Sequence, residues 1–155
     1  MAKTKLTVTT DAGTFTRTTA RTYAFIVVLK GERHELLEAE RKRGIAHALK
    51  NAARYAATQT SGIDPDDSKP GVSQWSKDLH AEWVAKGQYG EWAANSRDEA
   101  AELEARGPVT ADAGDTFGIL GWCGRLDLAV KLAATDVASR YREVRIYALD
   151  GTRVR

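Results

Sequence analysis

The chain has little that could staple it together or anchor it to anything. Its one cysteine, Cys123, excludes an internal disulfide and suits a reducing compartment such as the cytoplasm. The three histidines, His34, His47 and His80, have no second His or Cys at ligand spacing, so no metal is expected. No apolar run approaches the roughly 18–20 residues of a membrane span. The start, Met1-Ala2-Lys3-Thr4-Lys5, leads into alternating threonine and apolar residues and does not read as a signal peptide, so no membrane partner is expected. The formal net charge is only +2, far below the footprint of a duplex binder, and nucleic acid is not an expected partner. The chain also lacks G-x-G-x-x-G, a Walker lysine, G-x-S-x-G, H-E-x-x-H and any carboxylate pair with an obvious cleft. The expectation is a protein that binds without turnover and without a cofactor.

What is present reads as an ordinary globular composition, 43% hydrophobic and 28% charged. The chain is long enough to bury a core without staples. Alanine, arginine, aspartate and threonine are used heavily while Ile, Asn and Met are scarce, a bias that fits a GC-rich coding source such as an actinobacterium or its phage. Leu6 and Val8 alternate with polar neighbours, and Asp11-Ala12-Gly13 offers a turn. The stretch from Thr14 to Leu29 then predicts a hairpin with a long second strand. The run Tyr23-Ala24-Phe25-Ile26-Val27-Val28-Leu29 is apolar on both faces, which predicts a central strand covered on both sides.

Helical spacing predicts a helix over 35–57, followed by an irregular loop over 58–72 rich in Asp, Pro and Gly. Trp75, Leu79 and Trp83 at i, i+4, i+8 predict a helix over 73–86. Ser96-Arg97-Asp98-Glu99 has the form of a capping box, so a helix is expected to start at Ser96 and end at Arg106-Gly107-Pro108. Trp75, Trp83 and Trp92 fall in one polar stretch, as anchors of a helical layer or as an exposed surface for a partner protein. A strand over 116–123, a helix over 127–140 and a strand over 143–149 complete the chain, with a short edge piece after Asp150-Gly151. The fold class expected is α+β: a mixed or antiparallel sheet of about four strands with helices packed on one face. One domain over 1–155 is expected, with an irregular or inserted helical segment at 58–112.

The candidate site is the junction where Gly118, Gly121 and Gly124 recur at three-residue spacing and the strand runs into a helix. Backbone N–H groups at such a junction suit a phosphate, and Arg125 could grip one bidentately. Asp127 stands where a helix start needs an acceptor, so it either caps the helix or takes ribose hydroxyls. Arg17, Arg21 and Tyr23 share a face of the long strand, directed into a groove or forming an exposed sheet end. A base could stack on Trp122, Phe117 or Tyr23. Cys123, without a partner base, reads as a buried strand thiol.

Thr18-Thr19-Ala20-Arg21-Thr22-Tyr23-Ala24-Phe25-Ile26-Val27-Val28 resembles a strand found in many small phage proteins. Trp122-Cys123-Gly124-Arg125-Leu126-Asp127-Leu128-Ala129 resembles a later strand-to-helix turn in the same kind of protein. The pairing resembles the phage anti-Thoeris sponge family, and segment 58–112 has no counterpart in it. The resemblance implies a counter-defence protein in the host-cell cytoplasm that captures a cyclic ADP-ribose-type or cyclic oligonucleotide signal without turnover. It also implies a homo-oligomer with pockets between subunits. Arg17, Arg21, Tyr23, Phe117, Trp122, Gly124, Arg125 and Asp127 are candidates on chemistry, not on a mapped family motif. The alternative is an inhibitor that binds a host defence or transcription complex through its Trp-rich segment.

Overall fold

The structure, a computed structural model, describes residues 2–155. The chain forms two compact units. One runs through Leu37 and resumes over Val109–Arg155; the other is Glu38–Pro108. The expected insertion at 58–112 compares with a second unit that opens earlier, at Glu38.

The first unit is α+β, as the sequence predicts. Strands β1 (Thr4–Thr10) and β2 (Gly13–Thr19) pair antiparallel as a hairpin with Val8 opposite Phe15. Thr10 closes its turn: its hydroxyl oxygen accepts from the Ala12 amide at 3.0 Å and its O–H donates to the Gly13 carbonyl at 3.1 Å. β3 (Phe25–Glu32) is the centre of a separate three-stranded sheet, between β4 (Gly118–Cys123) and β5 (Tyr141–Ala148), antiparallel to both.

The single long strand expected over 14–29 is therefore two strands in two sheets. Thr19 makes the break. It is buried, and its Oγ1 accepts from the Arg21 amide at 2.9 Å, a local bond that competes with the strand ladder. The turn folds the hairpin over one face of β3, where Val8 and Phe15 meet Ile26, Val28, Trp122 and Tyr147. A continuous strand would have left that face bare. On the other face Val27 packs with Ala129 and Ile146, so β3 is covered on both sides, as its unbroken apolar run predicts.

α4 (Leu126–Ala133) and α5 (Asp136–Ser139) connect β4 to β5. They replace the one helix expected over 127–140. The interruption is local: Thr135 donates to the Leu132 carbonyl at 2.8 Å, ending α4, and accepts from the Ala138 amide at 3.4 Å, starting α5. Gly121 faces this layer, where an added Cβ would lie 2.6 Å from Leu132 Cδ2. This glycine serves close helix-on-strand packing. After the Asp150-Gly151 turn the chain returns along β5, with the Val154 amide donating to the Ile146 carbonyl at 2.8 Å, which is the short edge piece read from the sequence.

The second unit is helical. It contains most of α1 (His34–Ser61), a 3-10 turn at Pro65–Ser68, α2 (Gln74–Ala85) and α3 (Gln88–Ala105). α1 runs four residues into the expected loop. Ser73 caps α2 by accepting from the Ser76 amide at 3.2 Å. Gly87, at φ +74°, turns the chain into α3, which ends before Gly107 at φ +70°. The capping-box reading at Ser96 is corrected: helix precedes it from Gln88, so its backbone amides are already inside the helical ladder. Alanines 48, 52, 93 and 100 are buried in the core. Tyr55, Trp83, Tyr89 and Trp92 join them as an aromatic cluster with neighbouring centroids 5.2–6.2 Å apart. Two of the three clustered tryptophans are thus anchors, while Trp75 is 72% exposed.

Candidate functional site

The open end of the hairpin is basic because of how its strands pair. Lys5 stands opposite Thr18 and Leu6 opposite Arg17. The hairpin's one carboxylate, Asp11, lies at the turn, the far end. Arg17 does not share a strand face with Arg21 and Tyr23 as expected, because those two lie in the connection after β2. The bend still returns Tyr23 beneath Arg17, whose guanidinium carbon is 4.8 Å from the ring centroid. Tyr23 rests against Trp122 with centroids 6.2 Å apart and planes tilted by 55°. Trp122 is only 9% exposed, so it supports Tyr23 and offers no open face to a base. Arg21 is exposed beside this stack in sequence.

A guanidinium stacked on an aromatic ring keeps its N–H edge directed sideways, free to meet an anion. Gly124 lies at the same end of the sheet. A Cβ there would sit 3.5 Å from the Thr22 carbonyl, an ordinary contact, so its role is not to relieve crowding. The expectation that Asp127 caps α4 is not met. Arg125 occupies the cap position, and Asp127, in the first turn, accepts both arms of its guanidinium at 2.9 Å. Both side chains are largely exposed. Arg125 thus has an acid partner within the same turn, and any anion has to draw it away.

Phe117 does not join the other candidates. It precedes β4, whereas Gly124 follows it, about 20 Å along the strand. Two cations lie over its ring, with Lys30 Nζ 4.9 Å and Arg145 Cζ 4.4 Å from the centroid. It lines a recess of about 410 Å³ with the hairpin turn 11–15, Lys30 and residues 115–116. Asp11 and Lys30 of this recess are already matched. Arg145 donates to Asp11 at 3.1 Å and pairs with Glu143, and Lys30 Nζ is 3.7 Å from Glu143. The buried Tyr147 hydroxyl donates to Asp11 at 2.5 Å, and that bond is the largest influence holding the Asp11 carboxyl below its ordinary value. Hydrogen bonding from Arg145 does the same for Glu143.

Two groupings join residues too distant in sequence for spacing to reveal. Asp112 accepts from both the backbone amide and Nδ1 of His34, each at 3.0 Å, which satisfies the start of α1 from a remote loop. The amide bond is the largest influence lowering the Asp112 carboxyl. Glu35 completes a His–Glu–Asp group, and Arg142 stands 3.7 Å from Asp112, a positive charge that opposes a bound cation. In the second unit, Tyr55 of α1 meets Trp92 of α3 across a recess described below. Cys123 is half-buried, and burial pushes its thiol up.

Among the described residues no helix is long and apolar enough to cross a membrane. No family model, curated protein or solved structure matches the chain.

Proposed function

We propose that this protein captures a nucleotide-derived small molecule, of the cyclic ADP-ribose or cyclic oligonucleotide kind, and holds it without turnover, as a phage-type counter-defence protein would in its host's cytoplasm. The observation that carries the reading is the stack of Arg17 on Tyr23 at the open end of a hairpin with no carboxylate on either strand, with Arg21 exposed two residues beyond β2 and Lys5 on the opposite hairpin face. Phosphates meet the edges of Arg17 and Arg21. The Arg125–Asp127 pair adds a cation for phosphate and an acceptor for ribose hydroxyls, once the two part. Phe117 and Trp122 drop out as stacking surfaces, the first by distance and the second by burial. The homo-oligomer rests on Leu126, Leu128 and Val137, which are 40–55% exposed on α4 and α5 and suit a second copy.

The test is calorimetry with cyclic ADP-ribose isomers and cyclic dinucleotides. Arg17→Ala and Arg21→Ala each weaken binding on the order of tenfold, the scale of one charge-assisted hydrogen bond. Arg125→Ala weakens it less, because Asp127 already engages that guanidinium. Chromatography of the incubated ligand returns it unchanged. Failure of every such ligand to bind below the millimolar range would falsify the reading.

A second reading, inhibition of a host protein complex, is favoured by one observation: Trp75 is 72% exposed on α2 while Trp83 and Trp92 are packed. A host protein retained by the native chain and lost with Trp75→Ala, while nucleotide binding is absent, would support it.

A further inference from the structure

The helical unit holds a recess of about 290 Å³ lined by Tyr55, Trp92, Asn95, Ser96 and Glu99. That volume is at the lower end for ligand pockets, about 300–1,000 Å³. Trp92, Asn95, Ser96 and Glu99 fall at i, i+3, i+4 and i+7 of α3, so one helix face supplies four of the five walls. Tyr55 comes from α1, its ring 5.6 Å from that of Trp92 and tilted by 56°. The two rings therefore form an angled wall and are not stacked face to face. Trp92 is held there by edge contacts to Trp83 and Tyr89, at 5.3 and 5.2 Å. Rings fixed in this way lose little freedom when something binds against them.

The electrostatics select the occupant. Glu99 is exposed, and among the described residues its carboxylate has neither a hydrogen bond nor an ion pair. α3 carries Glu91, Asp98, Glu99, Glu102 and Glu104 against one arginine, Arg97. Such a helix repels phosphates and carboxylates, so this recess is unsuited to the anionic ligand of the other unit. Aromatic faces attract cations through their quadrupole, and an adjacent carboxylate adds Coulomb attraction. Weakly hydrated cations with alkyl substituents gain most, since their methyl or methylene groups also cover ring surface.

We propose that the Tyr55–Trp92–Glu99 recess is a binding site for an alkylammonium group. The two rings contact its carbon-bound face and Glu99 balances its charge. Asn95 and Ser96 supply polar contacts at the rim. This site is independent of the proposed nucleotide corner, which lies in the other unit.

The experiment follows tryptophan indole resonances by NMR, on the full chain, during titration with tetramethylammonium chloride against sodium chloride at equal ionic strength. tert-Butanol serves as the neutral shape control. The Trp92 indole signal moves saturably with tetramethylammonium, and tert-butanol binds at least about fivefold more weakly. Glu99→Gln, an exposed and isosteric change, weakens the cation roughly threefold. Tyr55→Leu removes one wall and abolishes saturation, with helical circular dichroism confirming that the variant is folded. A lysine-bearing tripeptide separates the sources: tighter than tetramethylammonium, it assigns the site to a protein side chain; weaker, to a free small molecule. Equal affinity for tert-butanol, an unchanged Glu99→Gln titration, or shifts confined to other tryptophans would overturn the proposal. None of these results bears on nucleotide binding by the other unit.

Discussion

Replacing Tyr89 by Phe tests how the helical unit holds its irregular segment to its helices. Tyr89 and Asp64 are 2% and 5% exposed, and the phenol donates to Asp64 Oδ2 at 2.6 Å. The other carboxylate oxygen accepts from the Asp66 amide at 2.8 Å and from Arg54 at 3.4 Å. Burial pushes the Asp64 carboxyl up, but the Tyr89 and Asp66 hydrogen bonds, with the electrostatic influence of His80 and Arg54, outweigh it and leave it below 3.8. Burial and the neighbouring carboxylate drive the Tyr89 phenol far up, so it remains a donor. Phenylalanine keeps the ring against Trp83 and Trp92 and removes only the hydroxyl. A hydrogen bond to a charged group contributes about 1.5–3 kcal/mol, so the loss is about 2 kcal/mol at neutral pH. With a urea dependence of about 1–3 kcal/mol per molar, the unfolding midpoint falls by roughly 1 M. Tryptophan fluorescence reports it directly, because Trp92 and Trp83 are 5.2 and 6.2 Å from the Tyr89 ring. The sign with pH follows from linkage. Asp64 titrates lower folded than unfolded, so its contribution is complete above the unfolded value and fades as pH falls through the folded one. The gap between native chain and variant therefore narrows in acid below 3.8. A cost under about 0.5 kcal/mol, or one that does not change with pH, would refute the account of this buried pair.

Gly151 has φ +88°, and an added Cβ would overlap the Thr9 carbonyl oxygen. Gly151→Ala therefore lowers stability by at least about 2 kcal/mol in thermal melts, whereas Gly107→Ala, with open space at φ +70°, loses only about 1 kcal/mol. Cys123, its thiol raised by burial, reacts slowly with iodoacetamide near neutral pH and much faster in urea; equal rates would contradict its placement. Arg125→Ala leaves the unfolding midpoint within the equivalent of about 0.5 kcal/mol, because its pair with Asp127 is exposed to water.

Signals contained within one element were readable in the sequence. The apolar run 25–29 marked β3, the spacing of Trp75, Leu79 and Trp83 marked α2, Gly107 the end of α3, and alternation in 143–149 marked β5. Misreadings arose where a local signal met a distant requirement. Ser96 to Glu99 has the spacing of a cap, but the helix had already begun at Gln88, and those residues instead supply part of a recess wall. Thr19 makes the break with a local bond to the Arg21 amide, but the need to cover β3, which favours a break there, lies in no window around Thr19. At the candidate site, Arg17, Tyr23, Trp122 and Gly124 share one end of the first unit, while Phe117 is separated from them by the length of β4. Partnerships such as His34 with Asp112 and Tyr55 with Trp92 join segments far apart in the chain, and only folding reveals them.

The most direct measurement of the central claim is a backbone amide NMR titration of the intact chain with a cyclic ADP-ribose isomer and with a cyclic dinucleotide. Capture at this corner gives saturable shifts confined to residues 17–23 and 124–127, and Arg17→Ala raises the half-saturating ligand concentration on the order of tenfold. Shifts that gather elsewhere, or none at millimolar ligand, would contradict it.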